Sequence, residues 1–520
     1  MKRFQLSLLL VWLFSFSHSE PSVVSDGAKQ DADDNEHLGR NNKAPNYWGC
    51  TSHNQSLREL PFCNASLSIE ERLNDLMNRL TLKEKIAMLS PQSNLGDTCA
   101  THTASVSRIG LPQYMWLVET NTAVASHCLS HKCATEFSGP LSIAASFNRT
   151  SWYLKGSVFG TEQRAFMNIH WHRGGQYIPH NQALEGIGLT AFGPNINQQR
   201  DPRFGRTSEL PGEDPYLSGE YAKQMVNGMQ ERDSNGYPKV LAYLKHFAAY
   251  SKEADRGRDA YNISTFDLFD TYLPQFEKAF VEANATGAMC SYNGINGVPS
   301  CANSYLLNDI LRNQWGRPDA HITTDCGAVH NLLYPPVHAS SNASAAAYAL
   351  MNGSDIEMGS TLYNDYLLQA IQQGLATEEA VDRALQRSYR PHFVAGRFDP
   401  PEKSDWYKLG EKDIYSDQHQ AIQLDAALQG LVLLKNDNTN GLPLNAKTTK
   451  IAVLGPLGTT REGLMSDYEC KCKPEELVIM SDLECDTNFD NIIIRRSKLR
   501  WWRSRLYSDH CGKYTSYKWS

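Results

Sequence analysis

Residues 239–247 read KVLAYLKHF, an apolar, β-prone run that stops on two polar side chains, Lys245 and His246. Three further runs share this form: LTAFGPN at Leu189–Asn195, TGAMCSYN at Thr286–Asn293 and HITTD at His321–Asp325. Helical patterns separate them, and the alternation continues to about residue 400, which predicts a parallel sheet with helical crossovers. The fold class expected is α/β, and a (β/α)8-type barrel fits the length best. Each run ends on polar residues: Asn195, Lys245-His246, Tyr292-Asn293 and Asp325. In barrels, active sites form where strands end, because the loops that follow converge there.

Upstream, Ser68 with Glu71 and Thr81 with Glu84 have the spacing of two successive capping boxes. Ile69, Leu73, Leu76, Met77 and Leu80 recur at helical spacing after the first. The barrel is expected over residues 65–400, behind a polar lead-in at 20–64. Residues 1–19 combine Lys2 and Arg3 with the apolar run LSLLLVWLFSF and a small-polar close, the layout of a secretory signal peptide. The run falls short of the roughly 18 apolar residues that a membrane helix needs, and no later stretch reaches that length. A secreted protein without a membrane span is expected. Sequons at Asn54, Asn64, Asn148, Asn262, Asn284, Asn342 and Asn352 suit a glycosylated product. Among the twelve cysteines, Cys290–Cys301 and Cys50–Cys63 are plausible pairs, although sequence leaves the connectivity open.

After the break at Asp399-Pro400-Pro401, a helix at about Gln418–Gly430, the strand LVLLKN and the strand IAVLGP (Ile451–Pro456) read as the start of an α/β sandwich at 401–465. The pattern then lapses into a basic tail at 466–520, with IIIRRSKLRWWRSRL. A net charge of −7 gives the main body no electrostatic footprint for nucleic acid. His170 and His172 are two potential metal ligands without a third, and Cys470, Cys472 and Cys485 read as tail residues, so no metal and no cofactor are expected.

Five blocks carry the chemistry. RDPRFGR (Arg200–Arg206) is followed by ELPGEDP (Glu209–Pro215), KHF (Lys245–Phe247), MCSYNGINGVPSCAN (Met289–Asn303) and TTDCGAV (Thr324–Val329). In this order and spacing the chain resembles glycoside hydrolase family 3, in its β-xylosidase and arabinofuranosidase branch, from about Asn46 to Asp467. The resemblance implies a retaining exo-hydrolase of terminal β-linked sugars, a barrel followed by an α/β sandwich, and oligosaccharide or polysaccharide ends as partners. It implies Asp325 as nucleophile, a role suited to a carboxylate at a strand end that can attack an anomeric carbon. Taken without its motif, Asp325 could equally cap the helix that begins near Gly327.

By the same resemblance Glu119, Arg200, Lys245, His246 and Tyr292 line the pocket of the terminal sugar. Asp201, Arg203, Arg206 and Glu213 read instead as ion-pair staples of the barrel loops. Around Glu119 the chain departs from the family: Leu117 and Val118 replace an aromatic and a small polar residue, and Thr120-Asn121-Thr122 stands where Ala-Leu-His is usual. The general acid has no match. One branch of the family uses a His in a KHFPGHGD segment, where this chain has Tyr250, and the other takes a Glu from the sandwich domain. A secreted β-xylosidase-like enzyme is the leading expectation. A glycan-binding barrel without turnover, or a shortened gene product, is the alternative.

Overall fold

The computed structural model describes residues 50, 54–91, 101–126, 132–172, 187–436, 442–444 and 468. The signal peptide, most of the lead-in, the strand IAVLGP and the basic tail other than Tyr468 lie outside the described residues.

In chain order the strands are β1 (His102–Thr103), β2 (Tyr114–Met115), β3 (Thr190–Asn195), β4 (Leu241–Phe247), β5 (Ala260–Tyr261), β6 (Gly287–Cys290), β7 (Gly294–Ile295), β8 (Val298–Pro299) and β9 (His321–Thr324). The four runs singled out in the sequence become β3, β4, β6 and β9. They form one parallel sheet in the order β3-β4-β6-β9. The wall continues past both edges. Glu119 bridges Phe192 in parallel on one side, and Ile356 bridges Thr323 in parallel on the other. Glu357 N–H then donates to Leu89 O at 3.0 Å, Pro91 bridges Thr103, and β1 pairs with β2. The chain leads from β2 back to Glu119, so the hydrogen-bonded wall returns on itself as a barrel.

Helices cover it from outside. Arg149–His172 precedes β3, and Pro215–Met229, Pro274–Val281 and Tyr305–Gln314 fill the three crossovers that follow. Every residue of β3, β4, β6 and β9 is buried, as a parallel sheet covered on both faces requires. Successive side chains still serve different cores: Leu241 and Tyr243 pack into one apolar cluster, Ala242 and Leu244 into the other. Truncating a residue such as Leu244 to Ala would cost about 2–5 kcal/mol, from lost transfer energy plus the cavity left behind. Small residues let the outer helices meet closely. A Cβ on Gly156 would stand 2.2 Å from Met225 O, and one on Gly228 would stand 2.2 Å from Tyr153 O.

The barrel interior is filled by rings. Phe192 stacks on Tyr243 at 4.9 Å, and the Tyr243 hydroxyl meets His321 Nδ1 at 2.7 Å. The other ring nitrogen of His321 lies 3.0 Å from Ser388 Oγ. Burial, and after it Arg312 and Arg387, hold His321 well below the usual histidine range, so it is neutral.

Both capping boxes form, at Ser68/Glu71 and Thr81/Glu84. Cys50–Cys63 and Cys290–Cys301 are disulfides. The helix expected near 418–430 is Asp417–Gln429, tied to the barrel by Asn148 Nδ2 to Gln429 Oε1 at 2.7 Å and His419 Nδ1 to Glu162 Oε1 at 2.7 Å. LVLLKN, expected as a strand, carries none: Leu431, Val432, Leu433 and Leu434 are exposed. An isolated apolar strand has nothing to pair with, and none of the described strands reaches it. No helix of the described residues is long and apolar enough to cross a membrane. The backbone of His170 and His172 is helical, with side chains outside the description. Among the described residues no group of three metal-ligating side chains occurs.

Candidate active site

The C-terminal ends of the parallel strands converge as the barrel geometry demands. Asp325 is the first residue beyond β9. The chain then turns through Gly327, whose φ of 74° is left-handed, into the short helix Ala328–Asn331. The carboxylate does not cap that helix, since no side chain caps it. Oδ1 accepts the Cys326 N–H at 2.8 Å, whereas Oδ2 is buried without a hydrogen-bond partner among the described residues. Burial raises the Asp325 pKa, opposed by Arg206, the Cys326 amide, Tyr292 and Lys245. One oxygen is fixed and the other has no hydrogen-bond partner among the described residues.

Two residues from the end of β4 face it. The Lys245 ammonium is fully buried and forms an ion pair with Glu119 Oε2, brought in by the segment that runs parallel to β3. Burial raises the Glu119 pKa and Lys245 opposes the shift. His246 Nε2 lies 3.6 Å from Asp325 Oδ2. Burial, then Arg206, Lys245 and Arg256, keep the imidazole well below its usual pKa. The His246–Asp325 approach is therefore a contact of a neutral ring with a carboxylate, not an ion pair. Asn197 Oδ1 accepts the His246 backbone N–H at 2.8 Å and lies 3.3 Å from the ring Nδ1. Tyr292 donates to Cys326 O at 2.9 Å and lies under the Arg256 guanidinium at 4.4 Å.

Arg200 is not brought to this cluster. It is exposed, with its guanidinium 5.9 Å from the Tyr272 ring centroid. Arg206, six residues on in the same loop and expected to be a staple, takes the inward position. It does staple the loop, through bonds of 2.6 and 2.8 Å to Glu209, which also accepts from Asn195 Nδ2 at 3.0 Å. It is also the strongest positive influence on Asp325. Burial works against the Arg206 charge, but Glu209, Tyr468 and Tyr250 outweigh it and hold its pKa above the usual value. Asp201 and Arg203 pair with each other on the surface, and Glu213 is exposed.

Sequence reasoning also missed Tyr468. Its ring centroid lies 4.2 Å from Lys245 Nζ, and its hydroxyl accepts from Arg206 Nη2 at 3.1 Å. It belongs to a stretch without strand or helix periodicity, so no pattern pointed to it. The chemistry on offer is a buried carboxylate with one free oxygen, a neutral imidazole beside it, and an ordered set of cations and acids suited to sugar hydroxyls. A buried carboxylate with a free oxygen beside cations suits attack at an electrophilic carbon.

Residues 134–390 match the Glycosyl hydrolase family 3 N terminal domain. The chain is 36% identical over 431 residues to a β-xylosidase/α-L-arabinofuranosidase of Medicago sativa subsp. varia, covering 80% of this chain and 52% of that protein. It is 38% identical over 436 residues to an exo-1,4-β-xylosidase of Emericella nidulans, at 81% and 53% coverage. Its fold matches a solved GH3 exo-β-xylosidase in complex with a xylobiose aziridine probe, with a TM-score of 0.72, 31% identity, and 82% and 53% coverage. It also matches a β-glucosidase of Listeria innocua in complex with isofagomine, with a TM-score of 0.62, 26% identity, and 78% and 56% coverage. The chain spans about half the length of the curated relatives it matches.

Proposed function

We propose, from the premise that the chain belongs to glycosyl hydrolase family 3, that it is a retaining exo-glycosidase that binds the non-reducing ends of β-linked oligosaccharides, with β-D-xylosides preferred. The observation that carries this reading is the free Oδ2 of buried Asp325, faced by His246 and flanked by Lys245 and Arg206. That oxygen would attack the anomeric carbon and form a glycosyl-enzyme, as the aglycone departs with the bonding electrons. Lys245, Arg206 and Glu119 would hold ring hydroxyls. The preference for xylosides is supported by the names of the related enzymes.

Protonation of the leaving oxygen needs a second carboxyl about 5–5.5 Å from the nucleophile. The described acids of the pocket have other work: Glu119 holds Lys245, Glu209 holds Arg206, and Glu253 is held by Tyr250 and Arg256. We therefore assign no general acid to the described residues. Export to an extracellular setting accords with the leader-like N-terminus, the sequons and the disulfides Cys50–Cys63 and Cys290–Cys301.

An activated aryl xyloside tests the reading, because its leaving group departs without protonation. A burst of phenol equal to the enzyme concentration, acceleration by azide, and slow cleavage of xylobiose are expected. Xylobiose cleavage as fast as that of the aryl xyloside would show that an acid is supplied. Sugar binding with no burst would favour the second reading, a glycan-binding protein, which the occupied acids of the pocket also support.

A further inference from the structure

We infer that Tyr468, a residue from beyond the barrel, is a wall of the sugar pocket that orients Lys245 and Arg206 toward the sugar hydroxyls. The inference rests on the glycosidase reading above and adds to it a residue that no motif supplied.

Three observations carry it. The first is that one side chain touches both cations of the pocket: Lys245 Nζ stands 4.2 Å from the ring centroid, and Arg206 Nη2 donates to the hydroxyl at 3.1 Å. Each cation has an acid on its other side, Glu119 for Lys245 and Glu209 for Arg206. The phenol thus joins the two ion pairs into a chain of five groups, acid, cation, phenol, cation and acid. The second is the backbone. Tyr468 has a φ of 68°, a left-handed conformation that a β-carbon disfavours. Among non-glycine residues such geometry persists where surrounding contacts over-determine it, and it gathers at binding sites. The third is burial: Lys245 has no exposed side-chain surface and Arg206 has 11%.

The chemistry follows from these contacts. An ammonium in water offers its protons to solvent, and a sugar hydroxyl must displace that water. With an aromatic face on one side and a carboxylate on the other, Lys245 keeps its donors aimed into the space that remains, where low dielectric strengthens each bond. The Tyr468 hydroxyl does the same for one arm of Arg206. Tyr468 is accordingly a positioning residue: its removal should weaken sugar capture more than the bond-breaking step.

The test compares the full chain with Y468F and Y468A. A cationic xylose-like iminosugar is titrated into each by calorimetry, and trapping of an activated aryl xyloside is followed in a single turnover. For Y468A, the iminosugar Kd and the half-saturating xyloside concentration should both rise about tenfold, with the trapping rate at saturation changed far less. Y468F keeps the ring and should stay within about threefold of the parent, the scale of one neutral hydrogen bond. Melting temperatures exclude a merely unfolded variant. Tetranitromethane labelling supplies a readout independent of sugars: the native chain should protect Tyr468, and urea should expose it.

Tighter binding or faster trapping by Y468A would overturn the inference, since the ring would then be a plug. So would values equal to the parent, or nitration of Tyr468 in the native chain at its rate in urea. If the parent itself neither binds nor traps, the glycosidase reading falls and the inference falls with it. If the parent does both and Y468A matches it, only the inference is lost.

Discussion

Asp325 and Asp355 are buried acids at opposite ends of the same strand, β9. Asp325 follows its last residue, whereas Asp355 binds the N–H of Ile322 near its start at 2.8 Å. Burial raises the pKa of both, and two cations oppose the shift in each case: Arg206 and Lys245 for one, Arg312 and Arg387 for the other. By burial, charge and direction of shift they are twins. Their hydrogen bonding separates them. Asp355 spends both oxygens, Oδ2 on Arg312 at 2.7 Å and on Ile322, Oδ1 on Arg387 at 3.3 Å. Asp325 leaves Oδ2 without a partner among the described residues. A perturbed carboxylate can be a rivet or a reagent, and the free lone pairs distinguish the two better than the perturbation does.

Substituting both acids in turn would break the comparison if it is wrong. If Asp325 is the nucleophile proposed above, Asp325→Asn, which keeps the volume, should lower trapping of an activated xyloside on the order of 10⁴–10⁶-fold, with iminosugar binding retained. Asp355→Asn should leave the trapping rate per folded molecule near the parent value. It should instead lower the unfolding free energy by about 3–5 kcal/mol, because it strands the buried Arg312 and takes a partner from the half-buried Arg387. Denaturant melts read the second effect and single-turnover kinetics the first. Comparable catalytic losses in both variants would erase the distinction.

Residues that touch only one end of β9 should give smaller effects. Glu119→Gln should weaken a monosaccharide analogue by about 1.5–3 kcal/mol, the value of a hydrogen bond to a charged group. An unchanged inhibition constant would remove Glu119 from the pocket. The pH dependence carries the sign of burial. The Asp325 pKa is raised in the folded chain, so its charge opposes folding at pH above that value and ceases to do so as pH falls through it. The melting temperature of Asp325→Asn should therefore gain on the parent as pH rises, and the trapping rate of the parent should gain its acid limb above the ordinary aspartate range. The smallest effect belongs to Arg200→Ala, which should stay within about 0.5 kcal/mol in stability and sugar binding, as surface changes do. A loss matching that of Arg206→Ala would return Arg200 to the site.

How much of this could be read in advance follows the physics of each signal. The strands β3, β4, β6 and β9 were legible because a strand buried on both faces must be apolar throughout and must end where polar loops begin. The capping boxes were legible because their partners lie three residues apart. Within RDPRFGR, however, three arginines (Arg200, Arg203 and Arg206) compete for one inward position, and spacing along an irregular loop says nothing about which side chain turns in. Arg206 takes that position since Glu209 and Asn195 pull it inward, a contact sequence does not display. Tyr468 was illegible for a related reason: its partners Lys245 and Arg206 are remote in sequence. LVLLKN failed in the opposite direction, because strand propensity is realised only beside a second strand.

The rings that fill the barrel carry a consequence for where such a protein can last. His246, His321 and His392 are all buried, and burial is the first cause that keeps each well below the ordinary histidine range. An unfolded chain takes up protons on these imidazoles as pH falls below about 6.5, and the folded barrel refuses them. Each refusal tilts the balance toward the unfolded chain by about 1.4 kcal/mol per pH unit below that point, until the folded pKa is reached. The stability that these three rings supply is complete above neutrality and drains away in sour media. Acidic surroundings would thus shorten the working life of this barrel.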